Sequence, residues 1–407
     1  MPCFPPSCSL SVSESVSLSV VRAVMTQLRP GASSESEGER ESYVEDRARL
    51  EAVLATNPGL INLGDEEGLT PLHLAALSGN SAALELFLSR QTASVDQLDR
   101  AGHSALHWAA VCQREEAAEC LQLLHLHGAQ VNLPDQGGAG ALHYVLQTDQ
   151  AGLVSVLLEL GADINLRDRL GRTPAMVAAS CDSLASLLLL LPAEPDLELR
   201  DGQSLTALHT GAARGNLRTL RALLDHQPGL VDLPDSDGAP PLFYAASWGR
   251  VDCVKLLLER RAVVGRRDSL GRTALTSSLT SSSSSELGQV LQVLQVLLSA
   301  GADLAETTEE GDTVLHLATA RREVETVVWV LNNCPSLVNR ENRAGLTPLH
   351  LAVSLNLVRE VSEPEFPRLL LWSILFQNLQ GFVGFSLPLQ SRDEVRAEAK
   401  VCYDDTG

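Results

Sequence analysis

A four-residue signature that returns at nearly constant spacing constrains this chain more than any other feature, because a fixed period makes each segment one copy of a small unit. Thr70-Pro71-Leu72-His73 opens the first clear copy, and aligned anchors follow at Ser104, Gly140, Thr173, Thr206, Pro240, Thr273, Thr313 and Thr347. Successive anchors lie 33 to 36 residues apart, except for one interval of 40 residues that ends at Thr313. A unit this short cannot cover its own apolar face, so neighbouring copies must stack and share a core.

The residues inside each copy specify two helices. Thr or Ser at the anchor can cap a helix through its hydroxyl, and proline at the next position loses nothing because that N–H has no helical partner. Leu72, Ala75 and Ala76 then fall on one side at helical spacing, and Gly79-Asn80 breaks the helix with a left-handed turn. In Val254-Lys255-Leu256-Leu257-Leu258-Glu259-Arg260 the apolar residues occupy more than one face, as a helix pressed between neighbours requires. Between copies lie Asp65-Glu66-Glu67-Gly68, Asp168-Arg169-Leu170-Gly171, Asp235-Ser236-Asp237-Gly238 and Asp268-Ser269-Leu270-Gly271. There the Asp accepts backbone hydrogen bonds and the Gly supplies positive φ, leaving the two residues between them to point outward.

Thr70-Pro71-Leu72-His73-Leu74-Ala75-Ala76, Thr347-Pro348-Leu349-His350-Leu351-Ala352 and the endings Gly161-Ala162-Asp163 and Gly301-Ala302-Asp303 give the chain its family likeness. From about Tyr43 to Val358 it resembles the ankyrin-repeat family. The resemblance implies an all-α fold, an α-solenoid of stacked helix pairs with β-turn fingers. On this reading residues 1–42 are a disordered tail and 43–67 an N-terminal capping half-repeat. Residues 68–358 hold about nine repeats with the last one incomplete, and 359–407 form a non-repeat C-terminal segment.

Two copies depart from the period. Repeat two is longer by about three residues at Cys112 to Glu116, and repeat seven carries an insertion from Thr276 to Glu286 with a serine tract at 281–285. Both are expected in the turn between the paired helices. The tract reads as a solvated loop, with phosphorylation control as the alternative. After Asn356 the ninth copy loses the pattern, and Pro364 and Pro367 prohibit its second helix. Leu369 to Ser391 carries no charge, which raises a membrane span, yet Gln377, Asn378, Gln380 and Pro388 interrupt it. A cover for the end of the array, or a loosely ordered segment, is the expectation for this region.

Composition excludes several functions. A formal charge of -20 repels phosphate backbones, so nucleic acid is not an expected partner. All but Lys255 and Lys400 of the 31 basic residues are arginine, which suits bidentate contact with carboxylates. Cys3, Cys8, Cys112, Cys120, Cys181, Cys253, Cys334 and Cys402 show no C-x-x-C pair, which favours a reducing compartment and a cytoplasmic location. The N-terminus lacks the basic and apolar regions of a cleaved signal.

The chain carries ten histidines, and six of them, His73, His107, His143, His209, His316 and His350, share one register. The resemblance implies that each hydrogen-bonds its own anchor and the adjoining turn. Met176, Phe243 and Thr276 replace it elsewhere, predicting looser or apolar repacking. Cys120, His125 and His127 lie close in sequence but point in different directions on a helix, so no metal site is expected. No phosphate loop, nucleophile elbow or H-E-x-x-H motif is present, and neither enzymatic activity nor a cofactor is expected.

The resemblance implies binding of proteins as the function, through a concave strip formed by fingers and first helices. The fingers offer Glu66, Glu67, Leu69, Arg100, His103, Gln136, Arg169, Arg172, Asp237, Arg272, Glu309 and Glu310, and the helices Leu77, Val111, Arg214, Trp248 and Arg321. Trp248 stands at the end of a first helix just before Gly249, whereas Trp108 and Trp329 are expected in the core. The expected role is a non-catalytic scaffold or adaptor. The alternative is a membrane-tethered protein or channel fragment with cytosolic repeats, associating with the bilayer through 369–391.

Overall fold

The computed structural model describes residues 51–354, apart from 53, 56, 57, 91 and 281–286, and shows two compact units that meet in sequence at Asp268 and Ser269. Among the described residues there are helices and tight turns and no strand, only an isolated bridge between Thr307 and Thr313. The expected N-terminal tail, the segment beyond 358, the apolar stretch 369–391 and the serine tract 281–285 lie outside the described residues. No helix among the described residues is long and apolar enough to cross a membrane.

The first unit contains six helix pairs. Their first helices are α1 (Pro71–Ser78), α3 (Ala105–Val111), α5 (Ala141–Gln147), α7 (Pro174–Cys181), α9 (Ala207–Arg214) and α11 (Pro241–Ser247). Their partners are α2 (Ser81–Leu88), α4 (Ala117–Leu126), α6 (Ala151–Glu159), α8 (Leu184–Leu190), α10 (Leu217–His226) and α12 (Val251–Glu259). Each first helix packs on the first helix of the next pair, and each second helix on the next second helix. The second unit holds α13 (Ala274–Ser277) with α14 (Leu287–Ser299), α15 (Val314–Ala320) with α16 (Val324–Asn333), and α17 (Pro348–Ser354). Both irregular copies place their extra residues between paired helices, after Val111 and after Ser277.

The core is aliphatic and fine-grained. Ala75, Ala76, Ala109, Ala110, Ala178 and Ala212 are fully buried, which lets first helices approach closely, while Leu84, Leu121, Leu157, Leu187, Leu223 and Leu257 fill the second layer. Gly79 ends α1 at φ 67°, and Asn80 caps α2 by accepting from the Ala83 amide at 3.0 Å.

The anchor behaves differently from a simple hydroxyl cap. In the first repeat the Thr70 amide donates to His73 Nδ1 at 3.0 Å, and the Thr70 hydroxyl lies 2.9 Å from the same nitrogen. A backbone N–H can only donate, so Nδ1 is the acceptor and Nε2 carries the proton. That Nε2–H donates to the Gln97 carbonyl at 2.9 Å. His107 reaches Ala139 O at 3.2 Å, His143 reaches Arg172 O at 3.2 Å and His209 reaches Ala239 O at 3.2 Å. In the second unit His316 reaches Leu346 O at 3.0 Å. Each imidazole thus closes its own helix start and ties it to the chain entering the next repeat.

The three exceptions are chemically coherent rather than loose. The Thr273 amide donates to Thr276 Oγ1 at 2.9 Å, and the Thr173 amide approaches Met176 Sδ at 3.4 Å. Pro240 has no amide to satisfy, so the imidazole acceptor is dispensable and a buried Phe243 occupies its place.

Burial holds the His107 and His209 imidazoles well below their usual value, at about 4, and lowers His73 and His143 in the same direction. In the unfolded chain these groups take up protons below about pH 6.5 while the folded chain does not. Their contribution to stability is complete above that pH and is lost as pH falls below about 6.5, for His107 and His209 over the whole range down to about 4. Urea unfolding between pH 7 and 4.5 will show this decline, steeper by about 1.4 kcal/mol per pH unit for each such histidine. A His209→Gln variant will be less stable at pH 7 and will show the shallower slope. Leu257, fully buried in α12, will lower stability by about 2 to 5 kcal/mol when changed to Ala, measured by the same unfolding.

Candidate protein-binding face

In the first unit one carboxylate builds each finger, and in the second unit Thr308 and Asn342 take that place in two fingers. Asp65 Oδ1 accepts from the amides of Glu67 at 3.0 Å and Leu69 at 2.9 Å, Asp99, Asp201 and Asp235 repeat the pair of bonds, and Asp135 Oδ1 accepts from the Ala139 amide at 2.8 Å. Consecutive fingers are joined by backbone bonds: Arg100 N donates to Glu67 O at 2.9 Å, Gln136 N to Ala101 O at 3.1 Å and Arg169 N to Gly137 O at 2.7 Å. Gly102, at φ 85°, lies so close to the following finger that an added Cβ would stand 2.6 Å from Gln136 N.

The second carboxylate oxygen of a finger aspartate orients a side chain from the following first helix. Trp108 Nε1 donates to Asp99 Oδ2 at 3.1 Å, Tyr244 donates to Asp235 Oδ2 at 2.6 Å, and Tyr144 donates to Asp135 Oδ2. His103 fills the space between Trp108 and Tyr144, with ring centroids 5.4 and 5.7 Å away. Its Nδ1 lies 3.1 Å from Asp99 Oδ2 and its Nε2 lies 3.0 Å from the Tyr144 hydroxyl. Burial opposes ionisation of Asp99, but bonds from His103 and Trp108 outweigh it and hold the carboxyl below its ordinary value. Burial and the adjacent Asp135 push the Tyr144 phenol well up, so it remains a donor.

The surface residues expected from the sequence fall into three groups. Glu66, Glu67, Arg100, Gln136, Arg169, Arg214, Asp237 and Trp248 are exposed on the first unit, and Glu309 and Glu310 on the second. Leu77, His103, Val111 and Arg172 are half-buried in the first unit, and Arg272 and Arg321 in the second. Arg172 is committed to Asp168 at 2.7 Å, and Arg321 Nε donates to the buried Glu323 at 2.7 Å. Leu69 is a correction: it is only 6% exposed, since an aliphatic side chain at this register gains by burial, whereas the polar His103 and Arg172 at the same register in later repeats stay half-buried. Trp108 and Trp329, expected in the core, are both half-buried. Tyr144 and Tyr244 belong to the same face, although nothing in their own segments distinguishes them. The signal for them is the constant separation of nine residues between a finger aspartate and the aromatic donor.

Trp248 occupies the C-cap of α11 and is 45% exposed, beside Gly249 at φ 67°. The same face offers little to catalysis. His107, His143 and His209 have both ring nitrogens committed to anchor amides and carbonyls. Burial pushes the Cys120 thiol up to about 12 and Cys253 to about 11, which keeps both protonated. Cys120 is buried while His125 and His127 are exposed, so these three do not converge on a cation.

The family model for ankyrin repeats (three copies) matches residues 47–122, 110–201, 186–268 and 282–364. Among curated proteins, the chain is 34% identical over 142 residues to the E3 ubiquitin-protein ligase KEG of Arabidopsis thaliana, covering 33% of this chain and 8% of that protein. It is 36% identical over 101 residues to the nuclear factor NF-kappa-B p105 subunit of Gallus gallus, covering 24% and 10%. It is 31% identical over 122 residues to neurogenic locus notch homolog protein 1 of Danio rerio, covering 30% and 5%. The chain therefore spans a tenth or less of the length of these relatives. Among solved structures, the human ASB11 ankyrin repeat domain is 28% identical, with a TM-score of 0.45 over 53% of this chain and 91% of that one. With the repeat model matching well over half of its residues, the chain belongs to the ankyrin-repeat family.

Proposed function

We propose that this chain is a non-catalytic scaffold or adaptor that binds a protein partner on the fingers and first helices of its first unit. Ankyrin repeats generally mediate contacts between proteins, and the residue-level support here is the set of aromatic side chains fixed on that face. Trp108, Tyr144 and Tyr244 are held by finger carboxylates, so little rotamer freedom is lost when a partner covers them. Trp248 adds an exposed indole on the same helix layer, and Trp and Tyr are the residue types enriched in binding hot spots.

Exposed charges of both signs lie on the same set of fingers and first helices. Glu66, Glu67 and Asp237 provide carboxylates, while Arg100, Arg169 and Arg214 provide guanidinium groups. They set orientation and association rate more than affinity. A cytoplasmic location fits the five free thiols among the described residues, Cys112, Cys120, Cys181, Cys253 and Cys334. The name of the KEG relative describes a ligase, but the shared region is only 8% of that protein.

Affinity capture with the full chain followed by mass spectrometry identifies the partner, and calorimetry with that partner measures the surface. Trp248→Ala will weaken binding by more than about 1 kcal/mol, at least fivefold in Kd, with an unchanged helical circular-dichroism spectrum. Equal affinity for the variant would place the partner on another surface.

A further inference from the structure

The opposite side of the first unit carries a second recognition feature. A depression of about 590 Å³ lies between α8 and α10, and Leu184, Leu188, Leu191 and Leu217 form its apolar lining. Leu188 is 51% exposed and its neighbour Leu189 is 39% exposed. The register makes Leu188 anomalous. Fifteen residues after each anchor the other repeats of this unit carry Glu85, Ser155, Arg221 and Lys255, and the longer second repeat places Gln122 there. None of these positions is buried, so an aliphatic residue at 188 is unfavourable to the isolated repeat and fits a surface that something covers.

The wall contributed by α10 supplies the polarity. Arg218 and Arg221 line the depression, are exposed, and have no ion-pair partner among the described residues. The carboxylate on that wall, Asp225, is engaged by Arg260 from the following repeat at 2.6 Å. The wall is thus locally cationic in a chain whose formal charge is -20. The groove is open along its solvent side, so it would leave a free lipid or other small apolar molecule largely in water, whereas a segment of folded protein shields itself on the outer side.

We propose that this groove is a docking site for an amphipathic protein segment that presents aliphatic side chains to Leu184, Leu188, Leu191 and Leu217 and Asp or Glu side chains to Arg218 and Arg221. The leucines supply contact area and the paired guanidinium groups fix register by bidentate contact with carboxylates. The site is separate from the aromatic face of the first helices, and its occupation does not depend on Trp248.

A phage-displayed library of random 16-residue peptides, selected on the full chain, tests the proposal whatever the natural partner is. The expected family carries at least two aliphatic and two acidic residues, and a synthetic member binds in fluorescence anisotropy. Leu188→Ser weakens that binding tenfold or more, while Trp248→Ala leaves it unchanged. Selection on the Arg218→Glu, Arg221→Glu double variant returns Lys and Arg in place of the acidic residues. All these positions are exposed, and an unchanged circular-dichroism spectrum certifies the fold. Absence of such a family, indifference of its binding to Leu188→Ser, or acidic peptides recovered on the charge-reversed protein would overturn the proposal. So would saturable binding of oleate in a selection that enriches no peptide, which would assign the groove to a lipid.

Discussion

The imidazole at the third position of the first helix is the interaction on which the repeats depend. A helix start leaves amides without partners, and a stack of short units needs many helix starts close together. In His73, His107, His143 and His209 one ring nitrogen accepts the anchor amide and the other donates to a carbonyl ahead of the next unit. One neutral side chain therefore satisfies a helix terminus and a loop carbonyl together. The requirement is for an acceptor and a donor at fixed separation, which only the neutral ring supplies. Where the anchor is Pro240 the requirement for an acceptor vanishes, and the position becomes an ordinary apolar one, Phe243.

The finger aspartate plays the corresponding part on the outer side. One oxygen holds the turn and the other takes whichever donor the register provides. Trp108, Tyr144 and Tyr244 provide it in three repeats. In the fourth, Val177 stands at the aromatic position and has no donor, and Arg172 reaches Asp168 Oδ2 through Nε at 2.7 Å instead. Arg172 is for this reason part of the framework before it is part of any binding surface. The carboxylate is satisfied in each of these repeats, while the chemistry facing outward changes from indole to phenol to guanidinium.

Period, helix pairing, turn positions and both insertions were legible in the sequence because they follow from interactions within one unit. Asp–x–x–Gly specifies a finger, and Gly79-Asn80 specifies a break, whatever the neighbouring units contain. What the sequence left open depended on contacts between units. Leu69 looks like a finger residue by position, yet its aliphatic side chain is buried where His103 and Arg172 at the same register are half-buried. Trp108 looks like a core residue beside His107, yet a carboxylate nine residues earlier in the chain holds it at the surface. Leu188 is hidden inside a run of five leucines from Leu187 to Leu191, and only the register of the neighbouring repeats shows that it faces water.

This division between framework and face explains how one unit can carry two unlike surfaces. The hydrogen bonds that define each repeat end on backbone amides, backbone carbonyls and finger carboxylates, none of which restricts the side chain at an outward position. Substituting Glu85 by the equivalent of Leu188, or Arg214 by the equivalent of Trp248, leaves those bonds intact. Local chemistry can therefore drift from repeat to repeat at small thermodynamic cost, within about 0.5 kcal/mol for most surface changes. The aromatic face near the fingers and the leucine–arginine groove between α8 and α10 are two such local departures, at different registers and on different helix layers. Their independence follows from the repeat architecture, in which each unit communicates chiefly with its immediate neighbours.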